Sequence, residues 1–155
     1  MNIREFKDID LPQIRRIVQS LHPKWFDDQA VKNIPFDIYF QKTFVAAIDE
    51  KVVGFICIRS QDRNPYIGWM GVDINHHRSG IGKALLTHAQ KYIVAKGAKF
   101  LRVRTVVEQQ PNDGSYDLTV QFYISNGFEV EKMEEEQTFE KYKYRMGTMV
   151  KRINS

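Results

Sequence analysis

Two apolar runs on either side of a short polar step, "TFVAAI" and "VVGFICIR" around "DEK", constrain the fold more than any other stretch of this sequence. Short runs rich in β-branched and aromatic residues, broken by turn formers, read as an antiparallel hairpin, here with a three-residue polar turn. "YIGWMGVDI" supplies another strand after the turn signal Asn64-Pro65. A sheet with antiparallel pairs at its centre therefore has to be completed by the rest of the chain.

The flanking segments supply that completion. "NIREF" reads as a short first strand, and Asp10 is expected to cap a helix with Leu11, Ile14, Ile17, Val18 and Leu21 on one face. His22-Pro23 ends that helix, because the residue before proline avoids helical geometry. A shorter helix begins near Asp27, with an irregular segment beyond Pro35. A long helix runs from about Gly80 to Lys96, buries Ile81, Leu85, Ala89, Tyr92 and Ile93, and stops at Gly97. "FLRVRTVV" alternates as a half-buried strand, and "EQQPNDGS" reads as a polar loop. "YDLTVQFYISNG" is a helix closed by Gly127, and "FEVEKM" and "KYKYRMGTMVKR" are two final strands, with "EEE" at a solvated end. The order predicts an α+β fold over residues 1–155 as a single domain: a mostly antiparallel mixed sheet of about seven strands flanked by about four helices.

Composition removes several function classes. With 43% hydrophobic and 27% charged residues the chain reads as globular. No stretch approaches the roughly 18 consecutive apolar residues of a membrane span, and "MNIREFKDID" carries charge where a signal peptide needs an apolar core. A cytoplasmic protein without a membrane partner is expected. The lone cysteine, Cys57, lies in an apolar strand and reads as a buried, inert thiol. His22, His76, His77 and His88 have neither a second cysteine nor paired carboxylates near them, so no metal site is expected. The net charge of +4 is scattered along the chain, which gives no footprint for nucleic acid.

"HHRSGIGKALL", residues 76 to 86, is where chemistry first shows. A P-loop would need glycine at His77 and Ser or Thr at Ala84, and a dinucleotide fingerprint would need glycine at Leu85. Both templates fail. What remains is a strand followed by glycine-rich backbone that opens a helix. The first N–H groups of a helix lack internal partners and carry the positive end of its dipole, so an anion is favoured there. Glycine at 80 and 82 would let a diphosphate approach, with Arg78 and Lys83 at the rim. A tight turn packed on the sheet is the other reading.

Arg78-Ser79-Gly80-Ile81-Gly82-Lys83-Ala84-Leu85-Leu86, after "GVDINH", resembles the acetyl-coenzyme A loop of GNAT-type N-acetyltransferases, whose pattern is Gln/Arg-x-x-Gly-x-Gly/Ala. "TVQFYISNGFE", Thr119 to Glu129, is similar to that family's Phe-Tyr-x-x-x-Gly-Phe passage from helix to strand, and "TMVKRI" resembles its last strand. The resemblance spans nearly the whole chain in the expected order. It implies an acetyl-coenzyme A-dependent N-acyltransferase in which a primary amine attacks directly in a ternary complex. The loop amides of Arg78, Ser79, Gly80, Ile81, Gly82 and Lys83 would bind the diphosphate. Met70, Gly71 and Val72 would pair with the pantetheine arm and polarise the thioester carbonyl. Tyr123 matches the tyrosine that protonates the departing thiolate.

The chain departs from the family pattern in four places. Arg102 stands where relatives carry a glutamate base, which leaves Glu108, Asp73 or a water relay for that role. His77 occupies the family's Gln/Arg position, either as a phosphate donor or as a turn residue. Tyr116 stands where many members have an asparagine that helps bind the cofactor, and the loop from Glu108 to Ser115 is longer than usual. The acceptor is expected to be a small-molecule or protein amine. Trp25, Phe26 and Tyr39 would wall its cleft, and Asp27, Asp28 and Asp37 either attract it or begin and decorate helices. A homodimer is left open. The alternative to catalysis is a domain of the same fold that binds or senses acyl-coenzyme A without turning it over.

Overall fold

In the computed structural model, which describes residues 1–154, the chain forms one mixed sheet with helices on both faces. In chain order the elements are β1 (Asn2–Glu5), α1 (Leu11–Leu21), α2 (Asp28–Asp37), β2 (Lys42–Ile48), β3 (Lys51–Gln61), β4 (Asn64–Val72), α3 (Ile81–Ala95), β5 (Phe100–Gln110), α4 (Ser115–Ser125), β6 (Glu129–Met133), β7 (Gln137–Phe139) and β8 (Tyr142–Arg152). The sheet order is β1-β2-β3-β4-β5-β8-β6, with β7 pairing with β8 beside that path. Every pairing is antiparallel except β4 with β5. The α+β expectation holds. The eighth strand, β7, is a three-residue exposed segment that carries no alternating pattern of its own.

The central strands read as continuous apolar runs because both of their faces are covered. Phe44, Ala46, Ile56 and Ile58 face α3, where Ile81, Leu85, Ala89 and Ile93 form the buried stripe together with Leu86. Val45, Phe55 and Cys57 face α1 and α2, against Ile14, Ile17, Val18, Leu21 and Ile34. Burial pushes the Cys57 thiol up to about 12, which makes it inert as a nucleophile.

Several local features differ from the sequence expectation, each for an identifiable reason. The β2–β3 turn has two residues, not three: Asp49 and Glu50 both have positive φ (48° and 67°), and Ile48 already faces Lys51. Asp62 and Arg63 repeat this between β3 and β4, so Asn64-Pro65 opens a strand and is not the turn. Two-residue turns of this hand match the twist of their strands. α2 passes through Pro35 to Asp37, because proline removes one hydrogen bond and Ile38 N–H still reaches Ile34 (3.1 Å). β5 reaches Gln110, taking in residues expected in the loop. Glu134 of the "EEE" run is not a solvated tip residue, since it holds Arg104 at 2.7 and 2.8 Å.

Asp10 does not cap α1 with its side chain. The chain is already turning there as a 3-10 helix over Asp8–Asp10, which swings the carboxylate back to Arg4 (2.8 and 2.9 Å) and to the Lys7 amide (2.8 Å). The Arg4 guanidinium first, and then the Lys7 amide, hold this buried carboxyl below its ordinary range against the cost of burial. A lowered folded pKa contributes stability that is present above the unfolded value of about 3.9 and lost as pH falls through the folded value. Asp10→Asn is therefore expected to cost about 3 kcal/mol at neutral pH and to flatten the acid side of the stability curve. Urea unfolding at pH 7 and at pH 3 checks this: the gap between wild type and variant narrows at the lower pH.

Candidate active site

The site begins where the sheet comes apart. β4 and β5 pair at only two positions, Tyr66 with Arg102 and Ile67 with Val103. Beyond that point β4 stays with β3 up to Val72, while β5 stays with β8 up to Gln110. A register shift opposite Cys57 and Ile58 leaves Gly68 as an extra residue in β4, at the point of divergence. The result is a V whose β4 wall, from Gly68 to Val72, has no strand partner on the β5 side. Met70 and Val72 are half-buried on this wall and Gly71 is buried against Phe55, Leu21 and Phe26.

The N-terminus of α3 lies at the open end of the V. Arg78 and Gly80 take left-handed conformations (φ 62° and 84°), which turn the backbone sharply into the helix. Ala84 N–H closes the first turn onto the Gly80 carbonyl (3.0 Å), and no side chain caps the amides before it. Ser79 spends its hydroxyl on the His76 carbonyl. The two glycines do different work. A β-carbon at Gly80 would meet nothing within 4 Å, so the space in front of the helix is open and glycine is needed for the backbone angle. A β-carbon at Gly82 would press on the Phe122 ring at 3.2 and 3.3 Å, so glycine there lets α4 close onto α3. Open space, uncapped amides and the exposed cations Arg78 and Lys83 fit a diphosphate.

A family model for the acetyltransferase (GNAT) domain matches residues 40–130, which include both walls of the V, α3 and α4. The chain belongs to the GNAT family. Solved structures agree in fold. The ribosomal-protein-S18-alanine N-acetyltransferase from Escherichia coli superposes with a TM-score of 0.75 at 18% identity, covering 99% of this chain and 94% of that one. An aminoglycoside 6'-N-acetyltransferase from Enterococcus faecium gives 0.77 at 15% identity, with 100% and 98% covered. Ard1 from Thermoplasma volcanium gives 0.77 at 23% identity, with 99% and 98% covered. No curated protein matches the sequence.

Within the GNAT frame, Tyr123 comes from α4 and is only 6% exposed. Its ring packs edge-on against Phe122 and Phe128, both at 5.3 Å. Burial pushes its phenol well above the ordinary tyrosine range, so it stays protonated. Glu108 lies within β5, just past a second register shift, and is exposed opposite Arg145 of β8. Asp73, by contrast, is buried and already used, accepting the Asn75 amide (3.0 Å) in the turn after β4. Arg102 is held bidentately by Glu131 (2.9 and 3.0 Å). His77 lies exposed in the turn before α3, and its Nε2 donates to the Val72 carbonyl (2.8 Å) while Trp25 packs against its ring.

The face of β4 and β5 opposite α3 forms the other side of the cleft. A cavity of about 570 Å³ is lined by Tyr66, Arg104, Glu131, Glu134 and Thr148 among others, and by none of the residues from Gly68 to Val72. At the end of α2, Asp37 accepts the Trp69 indole N–H (2.9 Å) instead of standing free for an amine. Asp27 likewise caps α2, accepting the Ala30 amide (2.8 Å). Phe36, Tyr39 and Phe40 are mostly exposed, whereas Phe26 is buried and Trp25 is half-buried. Tyr116 is half-buried at the start of α4, its phenol raised by burial and then by the charges of Asp27 and Asp113. None of the described helices is long and apolar enough to cross a membrane, and no group of His, Cys, Asp and Glu among the described residues is arranged to hold a metal ion. Sequence reasoning missed Gly68, although a glycine inside a strand is a signal for a bulge or a close approach.

Proposed function

We propose that this protein transfers the acetyl group of acetyl-coenzyme A to a primary amine by direct attack in a ternary complex. The observation that carries this reading is the V between β4 and β5, open beneath the uncapped first turn of α3, with Tyr123 of α4 in the core cluster against which Met70 and Val72 of the β4 wall pack. Bound there, acetyl-coenzyme A would supply an activated acyl group on a good leaving group. The amides at Arg78 to Lys83 would hold the diphosphate, and Lys83 and Arg78 would add charge at its rim. The unpaired backbone of Met70, Gly71 and Val72 would run beside the pantetheine arm and present N–H groups to the acyl oxygen. Tyr123 would donate to the sulfur as it departs.

The acceptor would enter the V from the face of the sheet opposite α3. Structural neighbours are named for a ribosomal-protein alanine and for the 6' position of aminoglycosides, so both protein and small-molecule amines belong in the test. Glu108 is the carboxylate we assign to deprotonate the amine, directly or through water, because Asp73 is already committed to its turn. One observation favours a second reading, a non-catalytic acyl-coenzyme A sensor: Arg102 stands at the position of the family glutamate and is locked to Glu131. Release of free thiol from acetyl-coenzyme A across a panel of small and peptide amines separates the two. Amine-dependent release supports the transferase. Saturable coenzyme binding without release on any amine supports the sensor.

A further inference from the structure

The bulge at Gly68 is occupied from outside its own strand. A β-carbon at Gly68 would lie 1.9 Å from Gln41 Oε1, 2.8 Å from its Cδ and 3.1 Å from its Nε2, so the Gln41 amide fills the place of the missing side chain. Gln41 belongs to the segment between α2 and β2. Its backbone N–H donates to the Asp37 carbonyl (2.9 Å), while the Asp37 carboxylate takes the Trp69 indole. Two neighbouring residues of β4, Gly68 and Trp69, are thereby clamped from the end of α2, at the point where β4 leaves β5. Within this clamp the Gln41 carbonyl oxygen is shielded from water and has no hydrogen-bond partner. A buried acceptor without a donor is costly, and a methionine or leucine could fill the same slot without that cost.

We propose that Gln41 receives the acceptor amine: its side-chain carbonyl accepts one N–H of the amine as the nitrogen meets the acyl carbon. This rests on the transferase reading above. A neutral primary amine carries two N–H groups and one lone pair. In the transfer the N–C bond forms, the C–S bond breaks, and its electron pair leaves with sulfur. One amine proton is lost to base or water, and the other remains on nitrogen, bonded to the Gln41 carbonyl. That bond turns the lone pair toward the acyl carbon at the apex of the V. Rotation about the last side-chain torsion, a soft one, brings the oxygen out to meet the amine.

The test compares wild type with Gln41→Met, Gln41→Ala and Gly68→Ala, the last of which forces the amide from its seat. Amine kcat/KM is expected to fall about tenfold in each, the size of one hydrogen bond, with most of the change in the amine KM. Coenzyme A affinity of the two Gln41 variants, measured by calorimetry, stays within about twofold, and the melting temperature of Gln41→Met holds or rises because the unpaired carbonyl is gone. Unchanged amine kcat/KM in Gln41→Met, beside an active wild type, overturns the role of Gln41 and leaves the transferase standing. A wild type inactive on every amine overturns the transferase reading and this inference with it.

Discussion

Replacing Tyr123 by phenylalanine is expected to lower turnover about a hundredfold while leaving coenzyme A affinity within about twofold. The ring is held by Phe122 and Phe128 and belongs to the core beneath α3, so the substitution keeps every apolar contact and removes only the hydroxyl. A merely structural tyrosine would give a stability change and little else. Its burial sharpens the chemistry. With the phenol raised above its usual range by desolvation, full transfer of its proton to a thiolate near 8.5 is uphill. In the proposed mechanism the hydroxyl would act by donating a hydrogen bond to sulfur as charge builds there, with the proton moving late. It follows that wild-type turnover does not decline at pH 9 through loss of the Tyr123 proton. Pre-steady-state thiol release and calorimetry on the same variant separate turnover from binding.

Gly80→Asp is expected to weaken coenzyme A binding about a hundredfold, and Gly80→Asn to do so by far less. The two side chains share a shape and tolerate left-handed backbone at about 1 kcal/mol, so they carry similar strain at φ 84°. Nothing lies within 4 Å of the new β-carbon, so neither disturbs packing. The difference between them is one negative charge at the mouth of the α3 cradle, where the proposed diphosphate would lie. If Asp and Asn weaken binding equally, backbone strain and not phosphate proximity explains the effect, and the cradle lies elsewhere. Thermal melts should place both variants within a few degrees of each other.

How much of this could be read from the residues differs along the chain. The hairpins and α3 were legible because apolar runs with the right period and punctuation have few other uses, and Gly80 and Gly82 stood where a helix opens. Their separate reasons were not legible. That Gly82 makes room for Phe122 depends on α4 folding back across forty residues of chain. Asp10 was expected as a cap and instead holds Arg4, because a 3-10 turn precedes the helix and redirects the carboxylate. His77 was open between phosphate donor and turn residue facing solvent, and it lies exposed in the turn before α3, where the end of β4 offers its ring a carbonyl. Gln41 gave no local signal, since its meaning comes from Gly68 two strands away. Arg102 and Glu131 became partners only through the placing of β6 next to β8.

The central claim is that the V between β4 and β5, under the α3 amides, is where acyl-coenzyme A binds. Backbone amide NMR during titration with coenzyme A tests it residue by residue. The account predicts saturable shifts, largest at Arg78 to Lys83 and along Gly68 to Val72, with β1 and β7 unmoved. Saturable shifts centred elsewhere, or none at all, would contradict it.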